Sequence, residues 1–300
     1  MKYNISKEFG IFRSLKPPFN ALAVRAGQPI MALMPNGMKS CGILEITSEK
    51  VPVAGGKSIK IYIIRPRRAE GKTPVIMHFH GGAFAFKGAP FHYKVAKSYA
   101  DKAGMTVVFV DYRMAFSTPF NTPLDDCERA YSYVAECADG LCIDLSRVIF
   151  SGDSAGGYLA VALAKRCTAN GLPPPAGALL VYPEVDPEGK SESMKKFTDT
   201  PVWNAKLNKK MWKMYSKGNR AYNPLADRLS FMPKTYIETA EFDCLHDEGV
   251  ELFHALADLN IECTLNETRE TMHGYEICLT ALTVQKAMKR RIEFLKTFTD

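Results

Sequence analysis

Short runs in which almost every position is apolar recur along the chain from residue 59 onward: IKIYIIR (59–65), PVIMHFH (74–80), TVVFVDYR (106–113), RVIFSG (147–152), GALLVYP (177–183) and KTYIETA (234–240). Each is rich in Val, Ile, Phe and Tyr and reads as a strand, several of them as strands covered on both faces. Between these runs, helical patterns cover 91–103, 123–138, 155–168 and 247–259, and another covers 281–297. A weaker strand-like stretch, ECTLNE (262–267), precedes the last of them. Strand and helix in alternation predict an α/β fold, a mostly parallel twisted sheet flanked by helices. Such a sheet binds its ligands outside the carboxyl ends of its strands.

Two regions break the rhythm. Residues 1–45 hold the turn-prone PPFN (17–20) and no strand alternation, and residues 187–232 interrupt the sheet between two strands. In the second region Leu207, Met211 and Tyr215 share one helical stripe, with Trp212 beside it and lysines opposite. That stripe reads either as packing against the main body or as a wall of an apolar pocket. The expected organisation is therefore 1–45 and 187–232 as two irregular parts, with 46–186 and 233–300 as the two halves of one α/β core.

Bulk properties narrow the classes. The chain has 300 residues, 46% hydrophobic and 24% charged, which is ordinary for a globular protein and argues against disorder. The formal charge of +7 includes a lysine-dense stretch at 195–217, but no nucleic-acid motif accompanies it, so the lysines read as wet helix faces. No window holds the roughly 18 apolar residues of a membrane span. MKYNISKEFG lacks the apolar run of a secretory signal. The eight cysteines show no CxxC pair and no metal-ligand spacing, so no metal site is expected, and a cytoplasmic chain with reduced thiols is.

Candidate chemistry centres on Gly152-Asp153-Ser154-Ala155-Gly156, a G-x-S-x-G that follows a predicted strand and opens a predicted helix. The bare pattern arises by chance on the order of 0.1 times in a chain this long, but its strand–turn–helix setting is that of a nucleophile elbow. Glycines let strand and helix approach, and the helix start aims free N–H groups and its positive dipole end at the reacting centre. A serine needs a base, and the base needs an orienting acid, in chain order Ser, acid, His. Of the histidines after Ser154, His254 lies within a helical pattern and His246 stands too close to the acid candidates, leaving His273 in the loop-like TMHGY. Asp243 directly follows the KTYIETA strand, and Asp186 is its rival, while Asp247 reads as a cap of the next helix. His80-Gly81-Gly82-Ala83-Phe84 ends another strand, where a glycine loop can turn N–H groups toward a carbonyl oxygen alongside the N–H of Ala155.

HGGAF (80–84), DYR (111–113), GDSAGG (152–157), YPEVD (182–186), FDCLHDEG (242–249) and HGY (273–275) occur in the order found in the hormone-sensitive-lipase-like esterases, the family IV group of the α/β-hydrolase superfamily. The chain resembles that family over about residues 50–300. The resemblance implies an α/β-hydrolase core with a helical cap built from 1–45 and 187–232. It implies Ser154 as nucleophile, His273 as base and Asp243 as acid. An oxyanion hole would involve Gly81, Gly82, Ala83 and Ala155, with Gly81 shaping the loop and the others donating. Phe84, Trp203, Met211, Trp212 and Tyr215 are candidates for the substrate pocket.

Members of that family are carboxylesterases for short acyl chains and need no cofactor, which implies a small-molecule ester as partner and leaves room for a homodimer. An amidase, formamidase or sugar-deacetylating esterase with the same three residues remains open, as does a non-catalytic receptor on the same fold. Three departures stand out. Ala83 replaces the usual third glycine, so a positive φ there would strain it; DYRMAFS replaces DYRLAPE; and Cys244 stands where proline is frequent.

Overall fold

The structure, a computed structural model, describes residues 2–34 and 36–299, apart from the side chain of Ala32. Met1 and Asp300, the outer ends of the first and last expected segments, lie outside the described residues. In chain order the elements are α1 (Ala21–Leu33), β1 (Leu44–Val53), β2 (Lys57–Pro66), β3 (Thr73–Phe79), α2 (Pro90–Ala103), β4 (Thr106–Asp111), α3 (Thr122–Glu136), β5 (Ile143–Asp153), α4 (Ala155–Asn170), β6 (Gly177–Val181), α5 (Glu192–Lys196), α6 (Ala205–Ser216), β7 (Lys234–Phe242), α7 (His246–Asp258), β8 (Cys263–Met272) and α8 (Leu282–Lys296).

The eight strands form one sheet in the order β1-β2-β4-β3-β5-β6-β7-β8. β1 with β2 and β2 with β4 run antiparallel, and the rest pair in parallel. β1 is the strand the hydrophobic pattern does not announce. It is an edge strand, it carries Glu45, Glu49 and Lys50 and ends near Pro52, and most of its positions face water. Charges and proline on an edge discourage pairing with another chain, at the cost of the apolar signature that marks the central strands.

Period-two alternation divides the core between the two faces of the sheet. In β4, Val108 and Val110 point into the cluster under α3, α4 and α7, whereas Val107 and Phe109 point into the cluster under α2 and α8. The second cluster also surrounds a fully buried ion group in which Arg291 of α8 pairs with Glu238 of β7 and Glu276, while Tyr99 and Tyr275 add hydroxyls. The two irregular stretches meet each other over the carboxyl ends of the parallel strands. Phe19 packs edge-on against Trp203 at 5.5 Å, Val202 N–H donates to Leu15 C=O, and Tyr3 meets Phe197.

Candidate active site

β5 delivers the chain to Ser154 and α4 leaves from it at once, so the serine must take the whole change of direction. Its backbone sits at φ 54°, ψ −121°, a conformation that side-chain-bearing residues rarely adopt and that persists only where the surroundings over-determine it. Gly156 is what permits the corner: a Cβ there would lie 1.9 Å from the Phe79 carbonyl oxygen, which is backbone of β3 and cannot yield. The corner pushes the Ser154 side chain out of the sheet and leaves the N–H of Ala155, first residue of α4, without an intrahelical acceptor.

The loops after β7 and β8 bring the other two side chains to this point. The Ser154 hydroxyl donates to His273 Nε2 at 2.9 Å, and His273 Nδ1–H donates to Asp243 Oδ2 at 2.7 Å. Asp243 is fully buried, and its second oxygen accepts the Leu245 N–H at 3.0 Å, which fixes the carboxylate plane. Tyr182 packs on the imidazole at 4.6 Å between ring centres. The rival acid Asp186 is engaged elsewhere, accepting from Glu188 N–H, Lys190 N–H and Asn223. His254 is exposed on α7, and His246 is held between Asp247 and Glu267. Asp247 does not cap α7 from outside. It stands in the first turn, where it also accepts the Ser193 N–H.

In the 80–84 loop the backbone of Gly82, Ala83 and Phe84 has positive φ (115°, 58° and 53°), so the departure from a third glycine falls on a left-handed residue. Gly82 and Ala83 border the site cavity, and neither N–H is committed to another group among the described residues. Gly81, expected to shape the loop while the others donate, sits against the elbow. Its N–H is taken by Asp153 Oδ1 at 3.0 Å, because the loop lies directly against the elbow; a Cβ on Gly81 would come within 2.2 Å of that carboxylate. Asp153 Oδ2 in turn accepts from His92 Nε2 at 3.1 Å, and His92 Nδ1 accepts the Ala89 N–H at 2.8 Å, which places the ring proton on Nε2. Burial opposes the charge on Asp153, but His92 and the Gly81 N–H more than offset it and hold the carboxyl well below the usual range.

The cavity above Ser154 has a volume of about 400 Å³ and is mainly apolar, with Phe19, Met31, Phe86, Trp203 and Leu207 among its walls. Of the five side chains expected to line it, Trp203 does so. Phe84, Met211, Trp212 and Tyr215 are buried beside it as packing: Phe84 stacks on Tyr215 at 4.2 Å, and Trp212 meets Tyr158 edge-on at 5.1 Å. The α6 stripe therefore faces the main body, with only Leu207, at its start, turned to the cavity.

A family model described as the alpha/beta hydrolase fold matches residues 76–277. Esterase LipI of Mycobacterium tuberculosis is 30% identical over 229 residues, covering 74% of this chain and 72% of that protein. Human hormone-sensitive lipase is 32% identical over 139 residues, 46% of this chain and 13% of that one. This chain belongs to the alpha/beta hydrolase fold family, in its hormone-sensitive-lipase-like branch. Among solved structures, the hydrolase is similar throughout to one titled Bacterial Heroin Esterase, with a TM-score of 0.88 at 26% identity, 99% of this chain and 98% of that one being covered.

Two features of the hydrolase's site have no counterpart in the motif reading. His92 touches Asp153 from 61 residues away, and no local pattern in the sequence marks that contact. Glu184, in YPEVD, is fully buried and accepts from Asn208 and Trp212 of α6, so that a carboxyl anchors this helix to the sheet. Burial, reinforced by the charges of Asp243 and Asp186 and only partly offset by the two donors, pushes Glu184 up to about 8. Among the described residues no group of three or more His, Cys, Asp or Glu side chains is arranged to hold a metal, and no helix is long and apolar enough to cross a membrane.

Proposed function

We propose that this hydrolase is a serine carboxylesterase that cleaves short-chain acyl esters through an acyl-enzyme. The observation that carries the reading is the unbroken chain Ser154 Oγ, His273 Nε2, His273 Nδ1, Asp243 Oδ2, with links of 2.9 and 2.7 Å at the floor of an apolar cavity. In this reading the Ser154 hydroxyl attacks the ester carbonyl as His273 takes its proton, and Asp243 holds the imidazolium that forms. The carbonyl oxygen gains negative charge and is met by the N–H groups of Gly82, Ala83 and Ala155, together with the positive end of α4. Collapse passes the proton from His273 to the leaving alcohol, and a water then repeats the sequence to release the acid. Protein side chains and backbone carry each step, and the reading invokes no cofactor.

The cavity favours a compact acyl group, since about 400 Å³ lies at the small end of ligand pockets and its walls are apolar. The esterase relatives support cleavage of an ester rather than an amide. We place the chain in the cytoplasm, where its eight free thiols stay reduced. The test is hydrolysis of p-nitrophenyl esters from acetate to dodecanoate by the wild-type chain and by Ser154→Ala, alongside aryl formamides and acetylated sugars. Serine-dependent turnover greatest on the short esters is the expected result. Absence of any serine-dependent ester cleavage overturns the reading, and a preference for formamides or acetylated sugars reassigns the substrate.

A further inference from the structure

Helix α1 is apolar on both of its faces. Over Ala21–Met34 the only polar side chains are Arg25 and Gln28. Val24, Gly27 and Met31 turn toward the protein and the active-site cavity. On the opposite side Leu22, Ala26, Pro29, Ile30 and Leu33, spaced to fall on one helical stripe, stand in solvent, with Leu22, Ile30 and Leu33 exposed by 79%, 59% and 85%. A globular protein ordinarily covers one stripe of a surface helix and leaves the other polar. Of the eight large hydrophobic side chains that stand exposed among the described residues, seven lie between Ile11 and Ile43 and only Leu282 lies elsewhere. Ile43 lies beside the amino ends of the parallel strands, away from α1, but Leu22, Ile30 and Leu33 share one helix face, and an exposed apolar face of this kind marks a contact surface.

Charge identifies what the patch meets. Residues 1–40 hold six basic side chains and one acidic one, which is five of the chain's net seven positive charges. Lys16 precedes the helix, Arg25 flanks the stripe and Lys39 follows it, and none of the three makes an ion pair among the described residues. A second copy of the chain docked stripe to stripe would bring two such basic segments together and be repelled. An anionic phospholipid surface offers apolar depth and negative charge at once, and it is the partner whose chemistry matches both. The helix is 13 residues long, about 20 Å, too short to span the hydrocarbon layer but suited to lying in its interface.

We propose that α1 seats this hydrolase on anionic membrane surfaces, with Leu22, Ile30 and Leu33 inserted among the headgroups and Lys16, Arg25 and Lys39 at the phosphates. Ile30 belongs both to the exposed stripe and to the cavity wall, so the seated enzyme turns its cavity mouth toward the lipid. The inference rests on surface geometry and holds whatever the bound substrate is.

The test is flotation of the purified chain with vesicles of phosphatidylcholine alone and of phosphatidylcholine with 30% phosphatidylglycerol, read without any substrate. Binding at least tenfold stronger to the anionic vesicles, weakened at least tenfold by the double substitution Leu22→Ser and Leu33→Ser and by raising the salt from 0.1 to 0.5 M, is the expected result. Neither leucine lines the cavity, so hydrolysis of a soluble short ester by this variant checks that it is folded. Equal or absent binding to the two vesicle types, or binding that the double substitution leaves unchanged, overturns the proposal. A dimer in sedimentation that the same substitutions dissociate, without vesicle binding, overturns it in favour of a second copy.

Discussion

Replacing Asp153 by Asn removes one charge and keeps the number and arrangement of heavy atoms, yet two neighbours depend on that charge from opposite sides. Oδ1 accepts the Gly81 N–H and Oδ2 accepts His92 Nε2–H, and the Ala89 N–H prevents the imidazole from moving its proton to the other nitrogen. An amide can satisfy one of these donors but must present its own N–H to the other, whichever way it is flipped. A buried donor left facing a donor costs about 1–3 kcal/mol, and the surviving bond loses its ionic character, so the expected loss of stability is about 2–4 kcal/mol. At about 2 °C per kcal/mol for a chain of this size, the midpoint of thermal unfolding falls by about 4–8 °C. Gly81 leads directly into Gly82 and Ala83, so the displacement reaches the N–H groups assigned to the oxyanion. Loss of one such donor reduces turnover by about 10²- to 10³-fold, and kcat on p-nitrophenyl acetate is expected to drop by about 10²-fold with KM changed far less. Scanning calorimetry and steady-state kinetics on Asp153→Asn check both halves. A midpoint within 2 °C of wild type together with kcat within twofold would refute the reasoning. The ordinary carboxylate is half protonated near pH 4, and Asp153 is held well below that, so its share of stability is complete above pH 4 and is lost only as pH falls further.

Glu184 carries the opposite sign. With its carboxyl raised to about 8 by burial, the folded state keeps a proton that the unfolded chain releases near 4.5, so stability falls as pH rises between those values, with a slope approaching about 1.4 kcal/mol per pH unit. Urea unfolding of Glu184→Gln, followed from pH 5 to 8, is expected to lose that slope. Trp203→Ala opens the cavity beside Phe19 and His273 and should move the preferred ester at least two carbons longer, with kcat/KM on acetate down by about tenfold in a chain-length series. Arg291→Met strands Glu238 and Glu276 in the core without a counter-charge, which costs about 3–5 kcal/mol and shows as a fall in the unfolding midpoint of about 6–10 °C.

The central strands and the long helices were legible because burial on both faces of a sheet leaves unbroken apolar runs, as in Val107–Val110, and because helices over such a sheet keep one dry face. β1 was not, since an edge strand that must repel other chains carries Glu45, Glu49 and Lys50 in place of that signature. Ser154, Asp243 and His273 could be named from chain order and strand ends, because elbow chemistry constrains both. The pocket walls could not. Aromatic residues on α6 satisfy a packing role and a pocket role equally well in sequence, and only the rotation of the helix separates Leu207 from Met211, Trp212 and Tyr215. The tie of His92 to Asp153 escaped for a related reason: a contact spanning 61 residues between two polar side chains leaves no periodicity behind.

β8 lies at the free edge of the sheet and pairs only with β7, and the loop that leaves it carries His273, 119 positions after the serine it serves. Closing so distant a contact is slow, and edge elements are among the first to open in a folded protein. Refolding chains should therefore recover their helical signal and their buried central strands before they recover hydrolysis. Heat or urea that frays this one edge should silence the enzyme while Ser154 still stands at its corner, making activity a more sensitive gauge of intact structure than any measure of average fold.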